Sequence, residues 1–357
     1  MPVAEPAIIA TIRGECERLG FARWGLCAAD PIDRPGEWRR FIDEGRQGEM
    51  DWLRETLEMR LDPTKLLAGA RSILMVADLY ACKGAEAGRE PVEAGQGKVA
   101  RYARGRDYHK VLKKRLHQLA DALREALPDE SFRAAVDTAP LAEREYAARA
   151  GLGWIGKHTL VIHPELGSYF FLGALLTTAT LPIPQDQAEV PDHCGGCTAC
   201  LDACPTQALT PYALDARRCL SYLSIEHRGP IDAGLQAHMG DWLFGCDICQ
   251  EVCPHNSSHA RVAAESSYSD YAPRRRSLPL VDILNWGEAT RREAVQGTAM
   301  TRAKLDMWRR NALICLGNEI PRNPSPRVLE RLDEIATSSE EAPSVRQAAA
   351  QALRRLA

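Results

Sequence analysis

The chain has 357 residues, is 45% hydrophobic and 26% charged, and carries a net charge of −3. It is long enough for two or three domains with a sizeable core. Its charge balance excludes a uniformly basic nucleic-acid binder, so any such contact must be local. No stretch approaches the roughly eighteen apolar residues of a membrane helix, and the charge-dotted N-terminus predicts no export signal.

In chain order, "PAIIATIRGECERLGFARWGLCAAD" reads as an amphipathic helix followed by a strand. "ARSILMVADLY" is a core strand, with Ile73 to Val76 in one apolar run. "DYHKVLKKRLHQLADALREAL" places Val111, Leu112, Leu116, Leu119 and Leu123 near helical spacing. "FRAAVDTAP" is a short strand ending at Asp137, which a terminating, turn-capping aspartate would explain by itself. The five glycines of "ARAGLGWIGKHTLVIHPELGSYFFLGALLTT" predict sharp turns and a close backbone approach. Residues 1–185 therefore read as one α/β (α+β) domain.

The proline-rich "LPIPQDQAEVPDH" leads into residues 186–260, where the cysteines gather. Twelve cysteines without an export signal point to metal or redox use rather than disulfides. "HCGGCTACLDACPT" is a C-x₂-C-x₂-C-x₃-C-P run, and "CDICQEVCPHN" is a second run lacking one cysteine. Cys219 is the nearby candidate for the missing ligand. In two-cluster ferredoxin layouts the last cysteine of each run serves the opposite cluster. That rule assigns Cys194, Cys197, Cys200 and Cys253 to one 4Fe–4S cluster, and Cys204, Cys219, Cys246 and Cys249 to the other. Zinc also uses C-x₂-C pairs, but a zinc ribbon has no need of two crossed C-P runs. Cys16, Cys27, Cys82 and Cys315 are scattered.

Residues 261–357 return to helices: "TRAKLDMWRRNALICLGN", "RVLERLDEIA" and "SVRQAAAQALRRLA", an all-α pattern of the HEAT type. Between Arg274 and Arg327 eleven Lys or Arg face five Asp or Glu. With Trp286 and Trp308 nearby, this stretch is either a solvated face or a nucleic-acid contact.

"VDTAPLAEREYAARAGLGWIGKHT", "YARGRDYHKVLKKRL", the crossed cysteine runs before and after "SYLSIEHRG", and "RRNALICLGN" together resemble the epoxyqueuosine reductase family. The resemblance runs from about residue 5 to the C-terminus. It implies an oxidoreductase that reduces epoxyqueuosine to queuosine at the tRNA wobble position, the last step of queuosine biosynthesis. It also implies cobalamin beside two 4Fe–4S clusters in a ferredoxin-like domain. Asp137 matches the family's proton donor, a role that requires a raised pKa. The implied cobalamin contacts are Arg60, Asp137, Lys157, His158, Ser221, Tyr222 and Ser224. "DYHKVL" lacks the glycine of the D-x-H-x-x-G cobalamin motif, having Leu112 there, so His109 reads as a helix-start histidine beside Asp107 rather than a cobalt ligand. On the tail, Arg274, Arg275, Arg276, Arg302, Lys304, Arg309 and Arg310 become candidate tRNA contacts. The expected partners are tRNA and a low-potential donor of flavodoxin or ferredoxin type. A cytoplasmic monomer is expected, open on one side for the tRNA. Reductive dehalogenases share the cysteine layout, but usually carry a twin-arginine signal and a tyrosine donor. A ferredoxin with appended domains would have no use for so large an N-terminal domain.

Overall fold

The computed structural model describes residues 6–81, 92–256, 269–319 and 326–356. Cys82 and the segments 257–268 and 320–325, expected to be loop-like, lie outside them. The N-terminal half is built on a four-stranded sheet in the order Arg23–Ala28, Ser72–Leu79, Phe170–Thr177, Phe132–Ala135. Every neighbouring pair in it is antiparallel, so the domain is α+β and not a parallel α/β sheet.

The apolar run at 72–79 has the composition of a central strand covered on both faces, and all eight residues are buried. Leu74 and Val76 face the helices Ala7–Leu19 and Tyr108–Ala126, packing with Ile12, Leu112 and Leu116. Ile73, Met75 and Ala77 alternate to the other face, against Leu61, Leu141, Tyr146 and Ala147. Across the first face, the buried Arg115 guanidinium pairs with Asp78 at 2.5 Å, and Tyr271 donates to the same carboxylate at 2.6 Å. That ties the segment after residue 268 to the N-terminal sheet.

A second sheet crosses the boundaries expected from sequence. Trp242–Phe244 runs parallel to Gln96–Val99, which pairs on its other edge with antiparallel Ser277–Pro279. Val99, Ala100 and Ala103 accordingly share one core with Leu220, Phe244, Leu280, Trp308 and Ala349. Limits at 185 and 260 therefore do not coincide with the packing. Three helices close the chain: Leu305–Glu319, Pro326–Thr337 and Pro343–Leu356. They pack closely: a Cβ added at Gly317 would lie 3.0 Å from the Ala352 Cα. Among the described residues no helix is long and apolar enough to cross a membrane.

Candidate active site and cysteine cavities

The Phe132–Ala135 strand is an edge of the first sheet, and the chain turns just past its end. Asp137 lies in that turn with φ of 39°, a left-handed conformation that aspartate tolerates at a cost of about 1 kcal/mol. Its main-chain N–H donates to Glu143 Oε1 at 2.5 Å. Glu143 opens the helix Glu143–Arg149, whose Tyr146 and Ala147 are fixed in the core.

Facing this turn is the start of the Tyr108–Ala126 helix. Asp107 caps it, accepting the His109 N–H, so the next two side chains are aimed by a fixed first turn. Tyr108 donates its hydroxyl to Asp137 Oδ2 at 2.5 Å, and His109 Nε2 lies 2.9 Å from the same oxygen. His109 Nδ1 is 2.8 Å from Asp107 Oδ1. The Tyr108 ring stacks between His109 and Phe171, with centroid distances of 4.0 and 4.1 Å. His109 is thus not merely a helix-start residue: it joins two carboxylates. Sequence reasoning missed Tyr108, His109 and Glu143 as site residues, although "RDYH" and "VDTAPLAERE" contain them.

The electrostatics depart from expectation. Burial presses the Asp137 carboxyl upward, but hydrogen bonds from His109 and Tyr108, helped by His109 and Arg60 charge, hold it below the usual carboxylate range. The expected raised pKa is therefore corrected for this arrangement, because two donors stabilise the anion. Burial would lower His109, but the Asp107 and Asp137 hydrogen bonds prevail and raise it to about 9. At neutral pH the His109 imidazole is therefore protonated while Asp137 is ionised. Burial and the Asp137 charge push Glu143 up to about 8. The Asp137 side chain remains 54% exposed, so a substrate can reach it.

Arg60 is buried, with Nη1 3.4 Å from the Leu141 carbonyl and its guanidinium over Trp52. Its charge bears on both Asp137 and Glu143, which places it in this site. Arg302 is exposed, held by Glu226 through two bonds of 2.8 and 2.7 Å, and its charge is felt by Asp137.

The cysteines gather separately. Cys194, Cys197, Cys200 and Cys253 line one cavity of about 150 Å³ together with His158 and Lys157. Cys219 interacts electrostatically with Cys204, and Cys249 with Cys219 and Cys204. Cys246 interacts with Cys249 and Cys219, which completes a second quartet. Cys249 also interacts with Cys200, so the two quartets adjoin. None of these thiols is in a disulfide. Trp154 Nε1 donates to Cys194 Sγ at 3.4 Å. His158 accepts from the Leu160 N–H through Nδ1, while its Nε2 is buried without a partner. A buried, unpartnered His158 N–H in the lining of this cysteine cavity fits a cluster whose sulfides accept hydrogen bonds.

The glycines bring the frame in close, as expected. A Cβ at Gly153 would lie 2.1 Å from the Ile162 carbonyl oxygen, and one at Gly167 2.1 Å from Asn256 Oδ1. Asn256, Gln250 and Ser168 form a buried hydrogen-bonded knot that fastens the second cysteine run to the sheet domain.

Several residues singled out from sequence take other places. Lys157 gives its ammonium to the carbonyls of Gly195 and Cys197, and His158 lines the cysteine cavity. Both therefore lie on the side of the first cysteine quartet. Ser224 is fully buried, donating to the Leu220 carbonyl and accepting from the Gly245 N–H. Tyr222 is buried and accepts from the Glu49 N–H, while Ser221 is half-buried. Arg310 has no exposed surface: its guanidinium serves the carbonyls of Leu223, His227 and Gly229, so it cannot reach a phosphate. Arg309 is committed to Glu341 by two bonds. Trp308 is a core residue stacked on Phe244. Arg274, Arg275, Arg276 and Lys304 are exposed. Arg274 is bonded through its main chain to Arg104, just ahead of the helix that carries His109.

Two family models match. Residues 60–138 match "Epoxyqueuosine reductase QueG, DUF1730", and residues 193–256 match a "4Fe-4S double cluster binding domain". An epoxyqueuosine reductase of Pseudomonas aeruginosa is 39% identical over 318 residues, covering 88% of this chain and 86% of its own. A crystal structure of epoxyqueuosine reductase with an epoxyqueuosine-modified tRNA-Tyr stem loop superposes with a TM-score of 0.84 at 28% identity, over 98% of this chain and 90% of that one. The Bacillus subtilis enzyme, in a structure described as having its catalytic loop swung out of the active site, gives 0.81 at 28% identity over the same shares. With its cysteine quartets, its Asp137 turn and these likenesses across nearly its whole length, this chain belongs to the epoxyqueuosine reductase family of oxidoreductases.

Proposed function

We propose that this protein reduces epoxyqueuosine to queuosine at the wobble position of tRNA, working in the cytoplasm as a monomer. The observation that carries this reading is the Asp107–His109–Asp137 chain, which ends in an exposed carboxylate in a protein that also carries two adjoining cysteine quartets. Reduction of the epoxide to an alkene cleaves both C–O bonds, forms the C=C bond and releases water. It consumes two electrons and two protons.

Two 4Fe–4S clusters held by Cys194, Cys197, Cys200 and Cys253, and by Cys204, Cys219, Cys246 and Cys249, would relay electrons singly from a flavodoxin- or ferredoxin-type donor. Cys197 is exposed, which favours the first cluster as the entry point. The residues around Asp137 fit cobalamin held without a protein ligand to cobalt. His109 has both ring nitrogens engaged by carboxylates, so it offers no lone pair for coordination. Arg60, Asp137 and Ser221 would hold the cofactor. When bound, it supplies a low-valent cobalt as reductant or nucleophile.

The protein's own contribution is the proton. The His109 imidazolium, stabilised by Asp107, passes its proton through the Asp137 carboxylate to the leaving oxygen. Arg274, Arg275, Arg276, Arg302 and Lys304 would contact phosphates and position the stem loop without reading its sequence. The target nucleoside must be splayed out to reach Asp137.

The test is anaerobic reconstitution with iron, sulfide, cobalamin and epoxyqueuosine-containing tRNA, followed by nucleoside analysis. Wild-type protein should bind about eight iron atoms and form queuosine. Asp137→Ala should keep iron and corrinoid but lose turnover by about 100-fold or more. Unchanged turnover of that variant would remove Asp137 from the chemistry.

A further inference from the structure

A carboxylate that must meet a nucleoside entering from outside has to be held in place, and Asp137 lies in a turn rather than in a strand or helix. Both Asp137 and Thr138 are exposed, and the backbone at Asp137 is left-handed. The local turn bonds are few: the Ala139 N–H donates to the Val136 carbonyl at 3.2 Å, and Thr138 Oγ1 to the same oxygen at 3.3 Å. Nothing in that pair fixes the Asp137 peptide. What does so is the 2.5 Å bond from its N–H to Glu143 Oε1. Glu143 stands on a rigid post, because Leu141, Ala142, Tyr146 and Ala147 around it are all core residues.

We propose that Glu143 is a positioning residue: its Oε1 latches the Asp137 main chain and so holds the Asp137 carboxyl in place. The side chain of Asp137 is then gripped from the opposite wall by Tyr108 and His109, and the turn is clamped between two helix starts. Arg60 stands near both carboxyls and limits their repulsion. The latch needs only an acceptor oxygen, not a charge. Its importance for turnover rests on the function proposed above, but its effect on the turn does not.

Amide hydrogen exchange on the full-length protein tests it. In wild type the peptide spanning 132–141 should be protected. Glu143→Ala should speed its exchange by about tenfold, while Glu143→Gln, which keeps a side-chain carbonyl oxygen, should stay within about twofold of wild type. Exchange in the Phe170–Thr177 strand should not change in either variant, which reports an intact sheet. In the reconstituted enzyme, Glu143→Ala should lower kcat by about tenfold at unchanged KM for the tRNA, and Glu143→Gln should restore most of it. Unchanged 132–141 exchange in Glu143→Ala, or equal loss of protection in the glutamine variant, would overturn the latch. If wild type forms no queuosine, the functional reading fails while the exchange comparison still decides the latch.

Discussion

Oδ2 of Asp137 receives two hydrogen bonds, from a phenol and an imidazole, and that fixes where protons reside before any substrate arrives. Because the anion is stabilised, Asp137 is a weak acid source alone; His109 is the charged reservoir behind it. The sign of the pH dependence follows. His109 is raised from about 6.5 to about 9, so its contribution is full below pH ~6.5 and lost as pH rises through about 9. Asp137 is lowered, so its contribution is present above its usual value of ~3.9 and lost at more acid pH. Thermal melts of wild type and His109→Gln should therefore differ most between about pH 4 and 6.5 and converge above about pH 9. In turnover, wild type should lose rate above about pH 9, and the glutamine variant should be slow throughout without that alkaline limb. A His109→Gln profile that keeps the limb would separate His109 from the proton supply.

At the scale of elements, short helices and turns do the placing while the central strand supplies rigidity. The helix Leu220–Ile225 is held less by its own six residues than by Arg310, which reaches from the Leu305–Glu319 helix to three main-chain oxygens at 223, 227 and 229. Burial lowers the Arg310 pKa to about 10, still far above neutrality, so the charge is retained and shared among those oxygens. Arg310→Met should cost about 3 kcal/mol of stability, since it strands buried acceptors, and should show as a lower denaturation midpoint. It should leave the salt dependence of tRNA binding unchanged. An Arg310→Met protein as stable as wild type would contradict this assignment.

Over the whole molecule, the basic tail divides into arginines bonded into the frame and arginines exposed at the surface. Arg309 and Arg310 build; Arg274, Arg275 and Arg276 lie exposed, close in the chain fold to Arg104 and the His109 helix. Replacing those three by alanine should weaken tRNA binding uniformly across sequences. The slope of log K against log salt should become shallower by about 2, measured by titration at several salt concentrations. An unchanged slope would move the stem loop to another face.

Much of this was legible beforehand, and the reason is locality. The C-x₂-C-x₂-C-x₃-C-P run wraps several ligands within one loop, so spacing carries the chemistry, and the buried run at 72–79 announces a central strand by composition alone. The pairing direction of the strands was not legible, nor was the sharing of Val99 and Ala100 with the tail core, because both are contacts between segments far apart in sequence. The active-site chain escaped for the same reason: positions 107 to 109, 137 and 143 read as a helix cap, a strand end and a helix start. The sequence by itself determined which cysteines fall into spaced runs and that a strand ends just before Asp137. Only the tertiary structure decided which histidine bonds the Asp137 carboxylate, which side chain meets its main chain and which arginines are exposed, since hydrogen-bond partners and burial are set by packing across the chain rather than by spacing along it.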